Sequence, residues 1–437
     1  MSRTPADVLR GVRRGRPRAL PPLPRLPLWR VRLVAMLAVL GPGLVSGFAD
    51  NDAGGITTYS LAGAQWGYTL LWVILATQIV LFFTQEVGAR LGLATGKGLI
   101  GLIRERWGVR WATFAALTML AANLGCIVAE FAGIASALGL FGVPPVISAG
   151  VAAIVVIGLI ALGNYSRIQY LFVGVGIFVS VAYVISAAIA GFDTSAAFQN
   201  LIVPHLQASP LYWLSVVGTV GTTITPWGQA FIQAYVADKG LKPDDLTASR
   251  VDVFFGALLT NLIAGFIVVA CAATLWAHGE TTITSAGDAA AALKPLAGDA
   301  ASVLFAVGLL GASFLGLGVV PMTSAYTTCE AFGWETGVNW KWREAPAFYG
   351  LLAFFIAFAA LFVMIPGLPL ITVMFSAQVL NAILLPFILV FVMLLAGDRK
   401  LLGPLASGRV LLTIGWASTV LLVLLSVILV VTGLGIG

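Results

Sequence analysis

Charged residues are scarce in this chain, at 10% of 437 residues, whereas hydrophobic residues make up 59% and the mean hydropathy is +1.00. A soluble globular protein carries about a quarter charged residues. The shortage excludes an ordinary soluble protein and indicates a chain solvated by lipid, in which apolar stretches of about 20 residues cross the bilayer as helices. The 49 glycines agree with helices that pack closely in a membrane.

Cysteine and histidine are also rare. The three cysteines, Cys126, Cys271 and Cys329, are far apart and lie in or beside apolar stretches, so they predict neither a disulfide framework nor a CxxC metal site. They are interpreted as small apolar packing residues. The two histidines, His205 and His278, fall in segments that connect apolar stretches. A histidine-based metal cluster inside the membrane is therefore excluded.

Acidic residues are nearly absent from residues 1–32, which contain nine arginines, one aspartate and a proline-rich run from Pro17 to Pro27. This basic stretch is too long for a cleavable secretory signal, and the apolar stretch after it continues as a membrane span. We expect a basic, disordered cytoplasmic tail that lies near anionic lipid. The tail explains much of the high pI of about 9.4, so the charge does not call for a nucleic-acid partner.

Eleven apolar stretches are long enough to be membrane spans, and the first and sixth are interrupted by polar residues. They are predicted at residues 33–64, 68–89, 111–138, 145–163, 168–191, 211–237, 251–276, 301–328, 346–366, 369–396 and 410–434. We expect an all-α integral membrane protein. Residues 33–191 and 211–396 are each predicted to form a five-helix repeat, inverted with respect to one another, and residues 410–434 an eleventh transmembrane helix.

The distribution of positive charge predicts the orientation of the chain. With eleven spans, 23 of the 24 Lys and Arg residues fall on one side of the membrane, and Lys294 alone falls on the other. One missed or additional span would remove this asymmetry. The positive-inside rule then places the N-terminus in the cytoplasm and the C-terminus outside. We expect a multi-pass protein of a bacterial-type plasma membrane.

The first and sixth spans are broken at corresponding positions, Asp50–Gly55 and Thr222–Gly228. Breaks five spans apart are expected for two inverted repeats, and paired broken helices are the best sequence sign of a transporter's central site. Pro226 alone would be compatible with a simple kink. Two acids, Asp50 and Asp52, beside a Gly-Gly pair favour a functional site, because an ionisable group near the bilayer centre is costly.

Oxygen atoms make up the candidate ligand set at the two breaks. The predicted metal-binding residues are Asp52, Gly55, Thr222, Thr225 and Gln378. Asp52 supplies a carboxylate, Thr225 a hydroxyl and Gln378 an amide oxygen, and exposed carbonyls near Gly54 and Thr222 add neutral oxygens. This set, without sulfur or imidazole, suits a hard divalent cation such as Mg²⁺, Ca²⁺ or Mn²⁺. The small residues leave room for a partly hydrated ion, and Mg²⁺ gives up water reluctantly.

Five further residues are predicted to lie around the ion: Asp50, Gly54, Glu130, Trp227 and Asn381. Glu130, in the middle of the third span, either attracts cations into the cavity or is a structural, hydrogen-bonded acid. Asp50 either helps at the outer vestibule or caps the broken helix. Gln378 and Asn381 share one face of the tenth span, where hydrogen bonding between helices is the alternative to ion contact. Trp227 either lines the site or fills space beside the break.

At these residues the chain resembles the Nramp family of divalent metal transporters, over roughly residues 34–434. Besides the first break and Pro226, the resemblance is carried by the stretches Gly41–Gly43, Gly67–Trp72, Ala89–Gly96 and Ala129–Phe131. The combination is specific, whereas no single motif is. It implies a LeuT-like fold with broken helices 1 and 6 and a divalent metal ion as the substrate.

Several residues depart from the family's pattern. The family's Asp-Pro-Gly-Asn is Asp52–Gly55 here, so the aspartate is kept and the asparagine ligand is absent. The family's Met-Pro-His is Thr225–Trp227, which lacks the thioether that favours softer metals and a histidine proton carrier. Ile127 stands where the family has an acid three residues before Glu130. The family's paired arginines have no clear equivalent around Arg343. These departures weaken both a Mn²⁺/Fe²⁺ assignment and proton coupling.

The remaining pattern looks like the Nramp-related magnesium transporter branch, which implies passage of Mg²⁺, and also Mn²⁺, without proton coupling. A proton-coupled Mn²⁺/Fe²⁺ importer is the main alternative. A sodium-coupled amino-acid transporter is less favoured, because such sites place substrate carboxylates at helix ends. An aspartyl protease dyad is disfavoured, since Asp50 and Asp52 lie on one segment. A scaffold role alone is similarly disfavoured. The expected partners are the transported ion and the lipid bilayer, with no enzyme activity, cofactor or obligatory protein partner.

Overall fold

The computed structural model describes residues 41–161, 165–335 and 342–433. The predicted tail at residues 1–32 and the beginning of the first span lie outside the described residues. Within the described ranges the chain is α-helical, and they contain no β-strand. The three cysteines are buried and unpaired, as predicted, and both histidines lie in exposed connections.

The first half of the chain contains six helices that belong to spans or their halves, with two shorter helices in the connections. The bounds are α1 (Pro42–Ala49), α2 (Ala53–Trp66), α3 (Leu71–Thr95), α4 (Leu99–Trp107), α5 (Val109–Gly139), α6 (Pro145–Ala161), α7 (Tyr165–Ala190) and α8 (Thr194–Ile202). The helices α1 and α2 are the two halves of the broken first span. The helices α4 and α8 are connections that the apolar pattern did not predict.

The second half repeats this order, beginning again with a broken helix. The bounds are α9 (Pro210–Thr223), α10 (Pro226–Asp238), α11 (Leu246–Thr274), α12 (Ala301–Phe332), α13 (Pro346–Val363), α14 (Leu370–Ala396) and α15 (Arg409–Gly433). Short helical turns lie in the connections, among them Ala286–Ala290, Lys294–Ala297 and Arg399–Leu402. The helices α9 and α10 are the two halves of the sixth span.

The described helices account for the eleven predicted spans. Eight of them are long and apolar enough to cross a membrane, namely α3, α5, α7 and α11 to α15. A ninth apolar helix, α6, is shorter. The two broken helices supply the remaining spans, so the predicted all-α, eleven-span architecture is confirmed.

Close backbone approaches hold the broken first span against α11, which packs on both α1 and α2. A Cβ atom added to Gly47 would overlap the backbone of Gly256, and one added to Gly63 would overlap the carbonyl of Val268. A side chain at either glycine would force the helices apart, which is the usual reason for small residues at interfaces within a membrane. The helix α5 packs against both α12 and α14, and this packing brings the middle of α5 to the first break.

One buried ion-pair cluster ties α3 to α11 at one end of the bundle. Glu86 and Arg90, one turn apart on α3, form an ion pair in which Nε and Nη2 of Arg90 lie 3.1 and 2.9 Å from Oε1 of Glu86. The same carboxylate oxygen accepts a hydrogen bond from Arg250 Nε of α11. Arg90 Nη1 also donates to the Leu405 carbonyl at 2.9 Å. These bonds satisfy charges that would otherwise be costly to bury.

Candidate functional site

The first break follows from the capping preference of aspartate. The helix α1 ends at Ala49, and Asp52, in extended conformation, is the N-cap of α2. Its Oδ1 accepts a hydrogen bond of 2.6 Å from the backbone N–H of Gly55. An aspartate at this position satisfies an otherwise unpaired helix N–H and interacts favourably with the helix dipole. The second carboxylate oxygen, Oδ2, is buried and has no partner among the described residues.

The second break follows from the covalent structure of proline. The helix α9 ends at Thr223, and Thr225 is the N-cap of α10, with Oγ1 accepting from Gly228 N at 3.2 Å. Pro226 has no N–H, so it cannot donate to the carbonyl of Thr222 four residues earlier. The Thr222 carbonyl oxygen therefore lacks its usual helical partner in the middle of the span.

The two breaks meet around Gly55. A Cβ atom added to this glycine would lie 3.0 Å from the Asp50 carbonyl oxygen, 3.2 Å from Thr222 Oγ1 and 3.3 Å from Asp52 Oδ1. Thr222 Oγ1 is buried and has no partner among the described residues. Three oxygens from both broken helices thus surround a residue without a side chain. The structure brings together Asp52, Gly55 and Thr222, three of the residues predicted to bind the ion.

Gln378 of α14 lies against the first break in an orientation that differs from the prediction. A methyl group at Gly54 would overlap the Gln378 amide, whose Nε2 is the closest atom. Its Oε1, the predicted ligand atom, accepts a hydrogen bond of 2.8 Å from Asn381 Nδ2. Asn381 Nδ2 also lies 3.0 Å from Cys126 Sγ. Hydrogen bonding between helices therefore fixes this pair, and Gln378 offers its oxygen to the site only if its amide turns over.

Glu130 of α5 combines the two roles that the sequence left open. Its Oε2 accepts a hydrogen bond from the N–H of Ala53 at 3.3 Å, at the start of α2. Its Oε1 has no partner among the described residues, and its carboxyl group is an electrostatic neighbour of Asp52. Glu130 Oε1 also lies so close to Gly316 of α12 that a side chain would not fit at position 316. One oxygen thus binds the start of α2, and the carboxyl group as a whole lies beside that of Asp52.

Thr225 and Trp227 lie at the start of α10. The Thr225 hydroxyl accepts the capping bond from Gly228, and it keeps a lone pair and its proton for other contacts. The indole of Trp227 is fully buried and its Nε1 has no partner among the described residues. Its ring lies beside that of Phe231, with a centroid separation of 6.2 Å. This burial agrees with the expectation that Trp227 fills space beside the break.

Asp50 points in a direction that the sequence did not predict. Its Oδ1 lies 3.6 Å from the position that a Cβ atom of Gly228 would take, in the first turn of α10. Its side chain makes no capping hydrogen bond, because neither carboxylate oxygen has a partner among the described residues. Only its backbone N–H closes α1, by bonding to the Ser46 carbonyl at 2.8 Å.

Buried amides on α3 and α10 were missed by the sequence argument. Gln85 donates from Nε2 to Ser46 Oγ at 3.1 Å, and its Oε1 has no partner among the described residues. Both amide atoms of Gln229 are likewise unpaired there. Gln233 donates to the Lys97 carbonyl at 2.8 Å. The sequence does contain a sign of them, because these glutamines lie within stretches that are otherwise apolar enough to be membrane spans.

The donor set is poor in strong metal ligands. In the described part of the chain, no three His, Cys, Asp or Glu side chains are grouped so that they could hold a metal ion together. The site instead combines one N-cap carboxylate with hydroxyl and carbonyl oxygens. Such a set suits a hard cation that keeps part of its water shell.

Two broken helices that meet at a buried polar site, within a bundle of eleven spans, define a membrane transporter of LeuT-like fold. The sequence model of the Nramp family (natural resistance-associated macrophage protein-like) matches residues 43–432. The chain therefore belongs to the Nramp family and is a multi-pass membrane protein.

Two bacterial relatives and two solved structures agree with this assignment. The divalent metal cation transporters MntH of Deinococcus radiodurans and Ralstonia nicotianae are 31% and 30% identical to this chain, and each alignment covers 90% of the chain and 89% of the relative. The manganese transporter of Eremococcus coleocola has the same fold, with a TM-score of 0.75 at 19% identity over 92% of this chain and 88% of its own. MhsT, solved with L-phenylalanine, has a TM-score of 0.59 at 16% identity, covering 89% of this chain and 97% of its own.

Proposed function

We propose that this protein transports Mg²⁺, and also Mn²⁺, across the plasma membrane without proton coupling, as a member of the magnesium-transporting branch of the Nramp family. The observation that carries the proposal is the surroundings of Gly55, where one carboxylate, one hydroxyl and one carbonyl oxygen converge on a residue that has no side chain. Membership of the family and the names of the MntH relatives support a divalent metal ion as the substrate.

The choice of Mg²⁺ rests on the ligand chemistry. Mg²⁺ dehydrates reluctantly and is usually bound through one or two carboxylates while it keeps several waters. Asp52 is the one carboxylate among the three oxygen groups around Gly55, and glycine offers no side-chain ligand where the family has an asparagine. Thr225 replaces a thioether, the ligand type that selects softer metals. The site therefore accommodates a hydrated hard ion better than a stripped transition metal.

The absence of proton coupling rests on the residues beside the site. Ile127 and Trp227, which are apolar or aromatic, stand where the family places an acid and a histidine. The side chains found instead between α3 and α10 are neutral amides such as Gln85 and Gln229. Amides do not take up or release protons near neutral pH, so Gln85 and Gln229 do not replace a histidine as proton carriers.

Transport proceeds by alternating access, in which one set of helices rocks against the other around the fixed central site. The halves α1 and α10 lead from the site towards one membrane face, and α2 and α9 towards the other. The positive-inside rule assigns the first face to the cytoplasm. An ion held between the breaks thus leaves along α1 and α10 after entering along α2 and α9.

Ion flux and internal pH measured together test this proposal. We expect Mg²⁺ uptake into proteoliposomes that carry the purified protein, with no acidification of the lumen. Asp52→Ala should abolish the flux, because it removes the carboxylate and the N-cap of α2. The matched control is Asp252→Asn on α11, a buried carboxylate whose Oδ1 accepts from Gly41 N at 3.0 Å and which lies outside the site.

Two outcomes would contradict the proposal in different ways. Absence of Mg²⁺ flux, with Mn²⁺ flux retained, would exclude the magnesium assignment. Acidification driven by the metal gradient would support the second candidate, a proton-coupled Mn²⁺/Fe²⁺ importer. That candidate is favoured by the likeness in fold to the Eremococcus coleocola protein, which is a manganese transporter.

A further inference from the structure

Asp50 is a second buried carboxylate near the break that the Asp52 site does not use. Only 1% of the residue is exposed, and both of its carboxylate oxygens lack a hydrogen-bond partner among the described residues. None of the ion pairs formed within the described ranges includes it. An unpaired carboxylate at this depth is costly to bury, so the position calls for a bound cation or proton.

The surroundings of Gly228 supply the rest of a binding place. Measured from the Cβ position of this glycine, Thr225 Oγ1 lies at 2.9 Å, Asp50 Oδ1 at 3.6 Å and Gln85 Nε2 at 4.0 Å. These groups come from three elements: the break between α9 and α10, the end of α1, and α3. Gln85 Oε1, on the same amide, is buried and has no partner among the described residues. Polar groups therefore converge on a second residue without a side chain.

Asp50 connects this place to the Asp52 site. Its backbone carbonyl lies 3.0 Å from the Cβ position of Gly55, whereas its carboxylate lies beside Gly228. The two carboxylates are also electrostatic neighbours. The backbone of Asp50 thus lies beside the first break, and its carboxylate lies beside the second.

We propose that Asp50, Thr225 and Gln85 form a second binding station for a hydrated divalent cation, next to the Asp52 site on the side of α10. This inference rests on the proposed function, since it concerns the same ion. The Asp50 carboxylate supplies the charge, and the Thr225 hydroxyl and Gln85 Oε1 accept hydrogen bonds from water molecules that the ion retains. The cation in turn neutralises a carboxylate that has no other partner.

Binding of Mn²⁺ to the full-length protein in nanodiscs tests the station without relying on transport. Free aqueous Mn²⁺ is counted by its electron paramagnetic resonance signal, which broadens on binding. We expect Asp52→Asn, which removes the charge of the first site, to retain one bound Mn²⁺ per chain. Adding Asp50→Asn should weaken that remaining binding by about tenfold or more. Adding Asp252→Asn instead should leave it unchanged.

A second variant keeps the test valid if loss of Asp50 perturbs folding. Gly228→Ala, combined with Asp52→Asn, places a methyl group 2.9 Å from Thr225 Oγ1 while it preserves the Asp50 carboxylate. We expect it to lower Mn²⁺ binding as well. Each variant is accepted only if it elutes as a single monodisperse peak in size-exclusion chromatography.

The outcomes separate this inference from the proposed function. If Asp52→Asn alone removes all Mn²⁺ binding, or if Asp50→Asn changes nothing in that background, the second station is excluded. Neither result depends on Mg²⁺ flux in the wild-type protein. Conversely, absence of Mg²⁺ flux in the wild-type protein would exclude the magnesium assignment. The two Mn²⁺ binding measurements would still decide whether the second station exists.

Discussion

At the scale of single residues, the proposed ion selectivity depends on positions where this chain lacks a ligand that the family's pattern contains. Thr225 is the clearest case, because its hydroxyl also caps α10 through Gly228. A thioether at this position would add a softer ligand and remove the cap. The two effects are separable by substitution.

Thr225→Met should shift the preference of uptake from Mg²⁺ towards Mn²⁺ by roughly tenfold, because a thioether prefers softer metals. Competition of the two ions in proteoliposomes measures the shift. Thr225→Ala is the matched control, since it loses the N-cap, at a cost of about 1 kcal/mol of stability, without adding sulfur. If alanine shifts the preference as far as methionine does, the thioether is not the cause.

Gly55→Ala should lower the uptake of both Mg²⁺ and Mn²⁺. The added methyl group would stand 3.0 to 3.3 Å from three oxygens of the site and would hinder the approach of an ion to them. Uptake at a fixed ion concentration gives the result. Gly265→Ala on α11 is the control, because its Cβ would meet only Ile74, at 3.9 Å. Unchanged uptake in Gly55→Ala would show that the ion does not approach this residue.

At the scale of helices, the sequence predicted the presence of elements better than their ends. The second span was predicted to end at residue 89, whereas α3 continues to Thr95. Arg90 stays in the helix because it is paired with Glu86 and bonded to the Leu405 carbonyl, a contact 315 residues distant in sequence. Both breaks were predictable, since capping aspartate, Gly-Gly and proline are local signals.

Side-chain directions inside the site were less accessible to prediction. Asp52, Gly55 and Thr222 come together because each lies in or beside a break. The amide of Gln378 is oriented by Asn381, so its oxygen does not face the first break. The carboxylate of Asp50 turns to Gly228 because α1 packs next to α10, a tertiary fact that no local pattern reports.

Glu86→Gln should destabilise the contact between α3 and α11. The substitution leaves Arg90, which is 7% exposed, without its charge partner. Breaking a buried ion pair costs about 3 to 5 kcal/mol of stability. Because Arg250, the second partner of Glu86, is half exposed, we expect a loss of about 3 kcal/mol or less. Thermal unfolding in detergent would show a lower midpoint.

The matched control for this pair is Glu105→Gln. Glu105 bonds to Lys97 Nζ at 2.7 Å, and both side chains are at least half exposed. An exposed pair of this kind contributes about 1 kcal/mol or less. Equal stability losses in Glu86→Gln and Glu105→Gln would contradict a special role for the buried cluster.

At the scale of the whole molecule, the orientation in the membrane is a prediction from charge alone. The exposed residues Asp244, between α10 and α11, and Glu280, between α11 and α12, lie on opposite faces if α11 spans the bilayer. The positive-inside rule places Asp244 in the cytoplasm and Glu280 outside.

Cysteine labelling in intact cells checks this orientation. A membrane-impermeant thiol reagent should react with Glu280→Cys in intact cells and with Asp244→Cys only after lysis. The three native cysteines are buried, so the unmodified protein serves as the background control. The reverse labelling pattern would place the N-terminus outside and reverse the inferred direction of ion entry.

Partial hydration of the ion proposed to bind beside Gly55 has a kinetic consequence. A transporter that strips Mg²⁺ must wait for water molecules to leave a cation that releases them reluctantly. A site that leaves the inner hydration sphere largely intact avoids this waiting time, and the helix movements then limit turnover. We therefore expect Mg²⁺ and Mn²⁺ to have similar maximal rates at saturation, so that discrimination between them is expressed in the concentration each ion needs for half-maximal uptake.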